Sequence, residues 1–330
     1  MDTRKFAFRF LSVLCVAIAF AGSSGIATEA AAQQYPIRPI RVIALSSPGS
    51  GPDIVGRLIG LKFTEAWGQQ AIVDTRPGAS GIIGSEIAAK AAPDGYTLVI
   101  LTSQAVIVSV MYKKLSYNLI RDFAPISLMA STPFILAVHP SVPATSIKEL
   151  IAYAKANPGK LRYGSGGAGS PPHLSAEIFK SMTGIDVLHV PYKGITPAMT
   201  DTVANQVQMI ISVVPAILPT VKAGRLRALG VTSAKRTALA PDVPTIAETV
   251  PGYEFIGWYG LAAPAKTPAA VLDKINAELV KALSTPEFRE RFSALGAEPL
   301  GSTREELAAY IKVQSAKMDA AVKASGAKPD

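Results

Sequence analysis

From Ile40 onward, short runs of apolar, β-branched residues alternate with longer stretches whose apolar positions recur every three to four residues. Runs of the first kind predict buried strands and the longer stretches predict amphipathic helices. Ile40–Leu45, Ala71–Asp74 and Tyr96–Leu101 read as strands, with helices over Ile54–Trp67 and Ser85–Ala91 between them. That βαβαβ order predicts a parallel sheet with right-handed crossovers. A second series starts at Ser146, whose hydroxyl and Glu149 have the spacing of a capping box. Its helix runs to Ala156 and stops at Asn157-Pro158-Gly159. Strands then fall at Leu161–Tyr163, Val187–Pro191, Val207–Ser212 and Leu226–Thr232, with helices over Leu174–Met182, Thr196–Ala204 and Pro215–Ala223. Three helices close the chain: Ala269–Leu283 after Pro268, one opened by Thr285-Pro286, and Arg304–Lys323 behind a second capping pattern, Thr303 with Glu306. They need an apolar partner, and the first lobe is expected to supply it. Phe123–Pro140 and Gly252–Pro264 lack a helical period and read as extended strands crossing between two lobes. Residues 33–138 with 253–330 then form domain 1, and 139–252 form domain 2, with a ligand cleft between them.

The N-terminus has a different pattern. Arg4, Lys5 and Arg9 precede the apolar run Phe10–Ala21, and small residues follow to Ala30-Ala31-Ala32. This is the layout of a secretory signal peptide over residues 1–32, cleaved near Ala32. The run is shorter than the ~20 residues a spanning helix needs. An exported, periplasmic chain is expected. Leu14 is too bulky for Cys15 to be a lipidation site, and Cys15 is the only cysteine, so the mature chain has no disulfide.

The 330 residues include 33 Lys+Arg against 24 Asp+Glu, a formal charge of +9. The basic residues stand singly without interleaved aromatics, which argues against nucleic-acid binding and for a diffuse field that attracts small anions. With 49% hydrophobic residues the chain can bury two ordinary cores, and nothing in it suggests an oligomer; a monomer is expected.

Two glycine-rich loops each lie between a strand and a helix. The first contains Ser46, Pro48, Gly49, Ser50, Gly51 and Asp53; the second contains Ser165, Gly166, Gly167, Gly169, Ser170 and His173. Glycines let the backbone turn and present its N–H groups, and a helix start adds unpaired donors with a partial positive charge. Each loop is an anion cradle that needs no lysine or arginine. Both sit at the carboxyl ends of strands, where open α/β sheets bind ligands. Thr102, Ser103 and Gln104 follow the third strand at the same edge and can donate to a ligand, and Ser212 ends a strand in the second lobe. A third turn, Arg76–Gly81, reads more simply as helix capping and packing. Lys193 reads either as a partner for a second carboxylate or as a solvated side chain, and His173 either as a cap or as a cleft residue.

Other chemistries fit poorly. Gly164-x-Gly166-x-x-Gly169 matches a dinucleotide fingerprint in form, but Asp186 starts the next strand instead of ending it, and no Walker sequence occurs. There is no G-x-S-x-G elbow and no HExxH. A hydrolase using Ser170 and His173 is the weakest reading, since no acid is placed to complete a triad. No cofactor and no metal is expected.

Several short segments in one order resemble the periplasmic solute-binding proteins of tripartite tricarboxylate transporters, the TctC or Bug family. They include Tyr35-Pro36, the Pro48–Asp53 loop, Arg76-Pro77-Gly78, Ala92–Tyr96, Asp122–Pro125, His139-Pro140-Ser141, Val190–Gly194, Pro241–Thr245 and Trp258-Tyr259-Gly260. The resemblance implies an α/β, two-lobed type II periplasmic-binding-protein fold, with two doubly wound domains joined by crossing hinge strands. It implies a receptor, not an enzyme, that captures a small carboxylate between the lobes and delivers it to membrane subunits of such a transporter. The same scaffold could instead feed a signalling partner. Ser46, Ser50, Ser212 and Val213 depart from residues common in the family, where an aspartate often stands at or beside Ser212. The implied ligand therefore lacks an amine and carries an aliphatic or aromatic tail.

Overall fold

The protein is described from a computed structural model covering residues 35–325. The expected leader and its cleavage point lie outside the described residues. Sheet strands are β1 (Ile40–Ala44), β2 (Ala71–Thr75), β3 (Thr97–Thr102), β4 (Phe123–Val138), β5 (Leu161–Ser165), β6 (Val187–Pro191), β7 (Met209–Val213), β8 (Arg227–Val231), β9 (Ile256–Pro264) and β10 (Glu298–Pro299). The α-helices are α1 (Gly51–Trp67), α2 (Ile82–Ala89), α3 (Ser103–Met111), α4 (Ile147–Ala156), α5 (Pro171–Thr183), α6 (Ile195–Val203), α7 (Val214–Lys222), α8 (Ala269–Leu283), α9 (Pro286–Ala294) and α10 (Arg304–Ser325).

Strand order is β2-β1-β3-β9-β4-β7-β5-β6, with β8 and β10 also on β4. In each lobe the βαβ strands pair parallel: β1 with β2 and β3, and β5 with β6 and β7. The crossing strands enter both sheets antiparallel, so each sheet is mixed. β4 carries both lobes. Its residues 123–133 pair with β9, and 134–138 pair with β7 and β8. Pro133, which has no N–H for a ladder, stands at the change of partner. Residues 134–138, assigned above to the first lobe, thus pair in the second sheet.

Local sequence explains the elements that frame the cavity. α1 has Pro52 in its first turn and ends at Gly68, whose left-handed φ of 66° lets its N–H close on the Thr64 carbonyl. Its inner face, Val55, Ile59 and Phe63, packs on β1 and β3 together with α8 and α9. Each such fully buried side chain contributes roughly 1.5–3 kcal/mol. Two expectations need correction. Ser103–Met111 is a helix, although no helix was expected there. α10 does not pack on the first lobe alone: it runs across β4 and reaches α5 of the second lobe, placing Leu307, Ile311 and Met318 in a core shared by both. At α4, Ser146 accepts from the Glu149 N–H as expected, while Glu149 accepts from the N–H and hydroxyl of Thr145, one residue before the cap. The Thr303–Glu306 box forms reciprocally.

Candidate functional site

A cavity of about 580 Å³ lies where the carboxyl ends of the two parallel arrays face each other. From the first lobe it takes Ser46, Ser47, Pro52, Thr102, Ser103 and Gln104; from the second, Gly166, Gly167, Ala168, Ser170 and Ser212. Eight of the sixteen residues expected at the site therefore line it. Pro48, Gly49, Ser50, Gly51, Asp53, Ser165, Gly169 and His173 do not.

The reason is visible in the first loop. Asp53 is buried, and its carboxylate accepts the Gly49 N–H at 2.8 Å while Arg57 Nε lies 3.0 Å away. Burial pushes this carboxyl up, but the Gly49 bond and Arg57 outweigh it and hold it below the ordinary value. Gly49 thus gives its N–H to the protein instead of presenting it to the cavity. Ser50 donates its N–H to Ser47, and its hydroxyl lies 2.5 Å from that of Ser46. The Ser50 side chain caps no N–H of α1, so the helix start keeps uncapped donors beside the cavity wall. Gly51 is required by close approach: a methyl group there would overlap the Tyr259 hydroxyl.

The second loop starts two residues later than expected, because Gly164 and Ser165 belong to β5. Its N–H groups at Gly167, Gly169 and Ser170 are used within the loop, on Ser165 Oγ, His173 Nδ1 and the Gly167 carbonyl. That of Ala168, in the cavity wall, is not. Ser170 donates its hydroxyl to the Gly167 carbonyl at 2.7 Å. A Ser170–His173 nucleophile pair is therefore not assembled: the hydroxyl proton faces a carbonyl, and His173 Nδ1 faces Gly169. His189, expected as a satisfied core residue, is half-buried and bonds Ser165 Oγ through Nε2 at 2.6 Å.

Sequence reasoning missed part of the wall. The third turn, assigned to packing, supplies Pro77, Gly78, Ser80 and Gly81. Ala79 and Ser80 hold φ of 45° and 55°, unfavourable for residues with a side chain. The crossing strands supply Thr132, Phe134, Gly257, Trp258 and Tyr259. Two glycines among aromatics in Gly257-Trp258-Tyr259-Gly260 were the available signal: a side chain at Gly257 would collide with Thr132 and Phe134. Ser212 Oγ and Trp258 Nε1 are buried without a protein partner, though buried polar groups are rarely left so. Burial pushes the Tyr259 hydroxyl up to about 12, keeping it a neutral donor. Lys193 does not line the cavity, and no described lining residue is Asp, Glu, Lys, Arg or His. Across the cavity, Gln104 Nε2 donates to the Gly169 carbonyl at 3.2 Å and ties the lobes.

Such a wall offers neutral donors over apolar surface from Phe134, Trp258, Ile195 and Val213. It can hold an anion by dipoles. It presents no charged acceptor for an ammonium group, and among the described residues no cluster of three or more His, Cys, Asp or Glu could hold a metal.

Residues 55–327 match the profile of a family described as the tripartite tricarboxylate transporter family receptor. The chain is similar to protein BugT of Bordetella pertussis, 34% identical over 326 residues, covering 97% of this chain and 98% of that one. Among solved structures it is similar to R. palustris Rpa4515 with adipate, with a TM-score of 0.79 and 34% identity over 90% of this chain and 100% of that one. It is also similar to the periplasmic binding protein BugD, with a TM-score of 0.75 and 32% identity over 89% of this chain and 99% of that one.

Proposed function

The chain belongs to the tripartite tricarboxylate transporter receptor family, whose members are solute-binding receptors and not enzymes, and from that premise we propose that it captures a small carboxylate in the cavity between its lobes and hands it to the membrane subunits of such a transporter. It does so in the periplasm, after a leader over residues 1–32 is removed, and as a monomer. Among the described residues no helix is long and apolar enough to cross a membrane. The lobes divide at Pro133 on β4 and near Ile256 on β9, with α10 bridging them.

One observation carries the reading: the cavity is walled by glycine loops and helix starts from both lobes, and its lining holds no ionisable residue except the neutral Tyr259. A carboxylate is stabilised there by charge-assisted bonds of roughly 1.5–3 kcal/mol each. Three or four reach about −8 kcal/mol, a micromolar Kd. The similar Rpa4515 structure carries adipate, which supports a carboxylate. With no carboxylate in the wall, an α-amino group would lose its hydration without gaining a partner. The ligand is an aliphatic or aromatic carboxylate without an amine. Ligand closes the lobes by shifting a hinge equilibrium.

Calorimetric titration with adipate, benzoate and amino acids tests this. Micromolar binding of a simple carboxylate is expected. Binding of amino acids alone would overturn it.

A further inference from the structure

Behind the second loop stands a pair of histidines that the carboxylate site does not touch. His173 on α5 is buried, and its Nδ1 accepts the Gly169 N–H at 3.0 Å. A backbone N–H can only donate, so Nδ1 carries no proton, and neutral His173 holds its proton on Nε2. The His189 ring on β6 stacks on it at 4.1 Å and on Tyr163 at 4.8 Å. His189 in turn bonds Ser165 Oγ, and Ser165 Oγ accepts the Gly167 N–H at 3.1 Å. Both fixed ends of the loop, Gly167 and Gly169, thus hang on one imidazole stack. Ala168, whose N–H is left for the cavity, lies between them.

We propose that His173, backed by the stacked His189, is a positioning residue that holds the second loop in its ligand-gripping shape only while its Nδ1 is unprotonated, so that carboxylate affinity is lost as His173 takes up a proton. This rests on the cavity being the carboxylate site. A proton on His173 Nδ1 would set N–H against N–H and remove the Gly169 bond. Burial, and then the neighbouring His173, push His189 down to about 4, so His189 stays neutral at every pH used below and an acid loss there reports His173.

The surrounding charges do not supply a substitute. Glu177, one turn along α5, is held by the Tyr163 hydroxyl at 2.5 Å and by Lys180 at 2.7 Å. Tyr163 on β5 is itself pushed up, by burial first and then by Glu177, and stays neutral. Of the other elements packed on α5, α3 and β7 contain no titratable residue. Tyr253, whose hydroxyl lies 2.8 Å from that of Ser175, is pushed up by burial. Lys317 of α10 pairs with Glu254 at 2.9 Å.

The sign of the pH effect is diagnostic. A histidine that acted as a cation for the anionic ligand would raise affinity on acidification. A histidine that accepts a loop N–H lowers it, because the ligand-competent form excludes the proton.

The experiment titrates the full mature chain with adipate, or with benzoate if adipate does not bind, at several pH values from about 5.5 to 8, either side of the ordinary imidazole value. Wild-type affinity is expected to be flat above about pH 7 and to fall three- to ten-fold at the acid end, the worth of one hydrogen bond. His173→Asn keeps an acceptor near the Nδ1 position and cannot titrate; it is expected to bind like wild type at neutral pH with a flatter profile. His173→Phe keeps the stack without the acceptor and is expected to bind three- to ten-fold more weakly at neutral pH. Affinity rising in acid, an unchanged acid loss in His173→Asn, or undiminished binding in a folded His173→Phe would each overturn the proposal. Ring ¹⁵N shifts of the ligand-free protein give an arm that needs no ligand and separates this proposal from the functional reading. An unprotonated His173 Nδ1 at neutral pH is expected, and a protonated one overturns the proposal. If no carboxylate binds any variant, the reading of the cavity fails and the proposal built on it falls too.

Discussion

The two glycine loops look alike in sequence and are braced by opposite means. In the first, an ionised carboxylate does the work: Asp53, turned inward from the first turn of α1, takes the Gly49 N–H and pairs with Arg57. In the second, neutral rings do it: His173 takes the Gly169 N–H, and His189 holds Ser165. Each brace keeps charge out of the cavity wall while fixing a loop whose glycines would otherwise leave it loose. The difference shows that a common cavity wall can rest on supports with different chemical weaknesses, and acid is expected to separate them.

The largest effect is expected from giving the cavity wall a charge. Ser212→Asp places a carboxylate at the second lobe's cavity wall, beside the anion. At an effective dielectric of about 20 and a separation of about 4 Å the repulsion is about 4 kcal/mol. Titration calorimetry should show adipate affinity falling by more than about 100-fold; a smaller loss would place the anion elsewhere. Next comes acid stability. His189 resists protonation in the folded chain, at about 4 against an ordinary value of 6.5. Its contribution is complete above about pH 6.5 and is lost as pH falls toward about 4, on the order of 2–3 kcal/mol. Asp53, held below its ordinary value, contributes above about pH 4 and fails only below it. Hydrogen exchange across that range should open Gly167 and Gly169 before Gly49; simultaneous opening would erase the distinction.

Asp53→Asn should weaken only the first brace. Loss of the ionised acceptor is expected to lower stability by about 1–3 kcal/mol by thermal denaturation, and to leave the acid profile of ligand affinity unchanged. A changed profile would mean the braces are coupled. The smallest effect belongs to Gln104→Ala, which removes the side-chain bond from Gln104 Nε2 to the Gly169 carbonyl across the cavity. Affinity should fall about two- to ten-fold, with a faster dissociation in stopped flow; no change would mean that this bond does not stabilise the closed form.

Much of this was legible in the sequence. The alternation of strand and helix placed β6 and α8 at their observed bounds, and Thr303 with Glu306 announced the start of α10. The loops were legible as loops. Their inner and outer residues were not, because Asp53 and His173 point according to the fold and not according to residue type. α3 was missed since Ser103–Met111 is rich in β-branched residues and nearly buried all round, so it shows no polar face to reveal a helical period. The floor was missed for a related reason. Thr132, Trp258 and Tyr259 enter the cavity only because β4 and β9 pair in antiparallel register across the hinge.

The most direct test is a crystal structure of the carboxylate-loaded chain. The carboxylate is expected within about 3 Å of backbone N–H or hydroxyl donors from both lobes, with Asp53 and His173 still turned away behind the loops. A head group resting on lysine or arginine, or on one lobe alone, would contradict it.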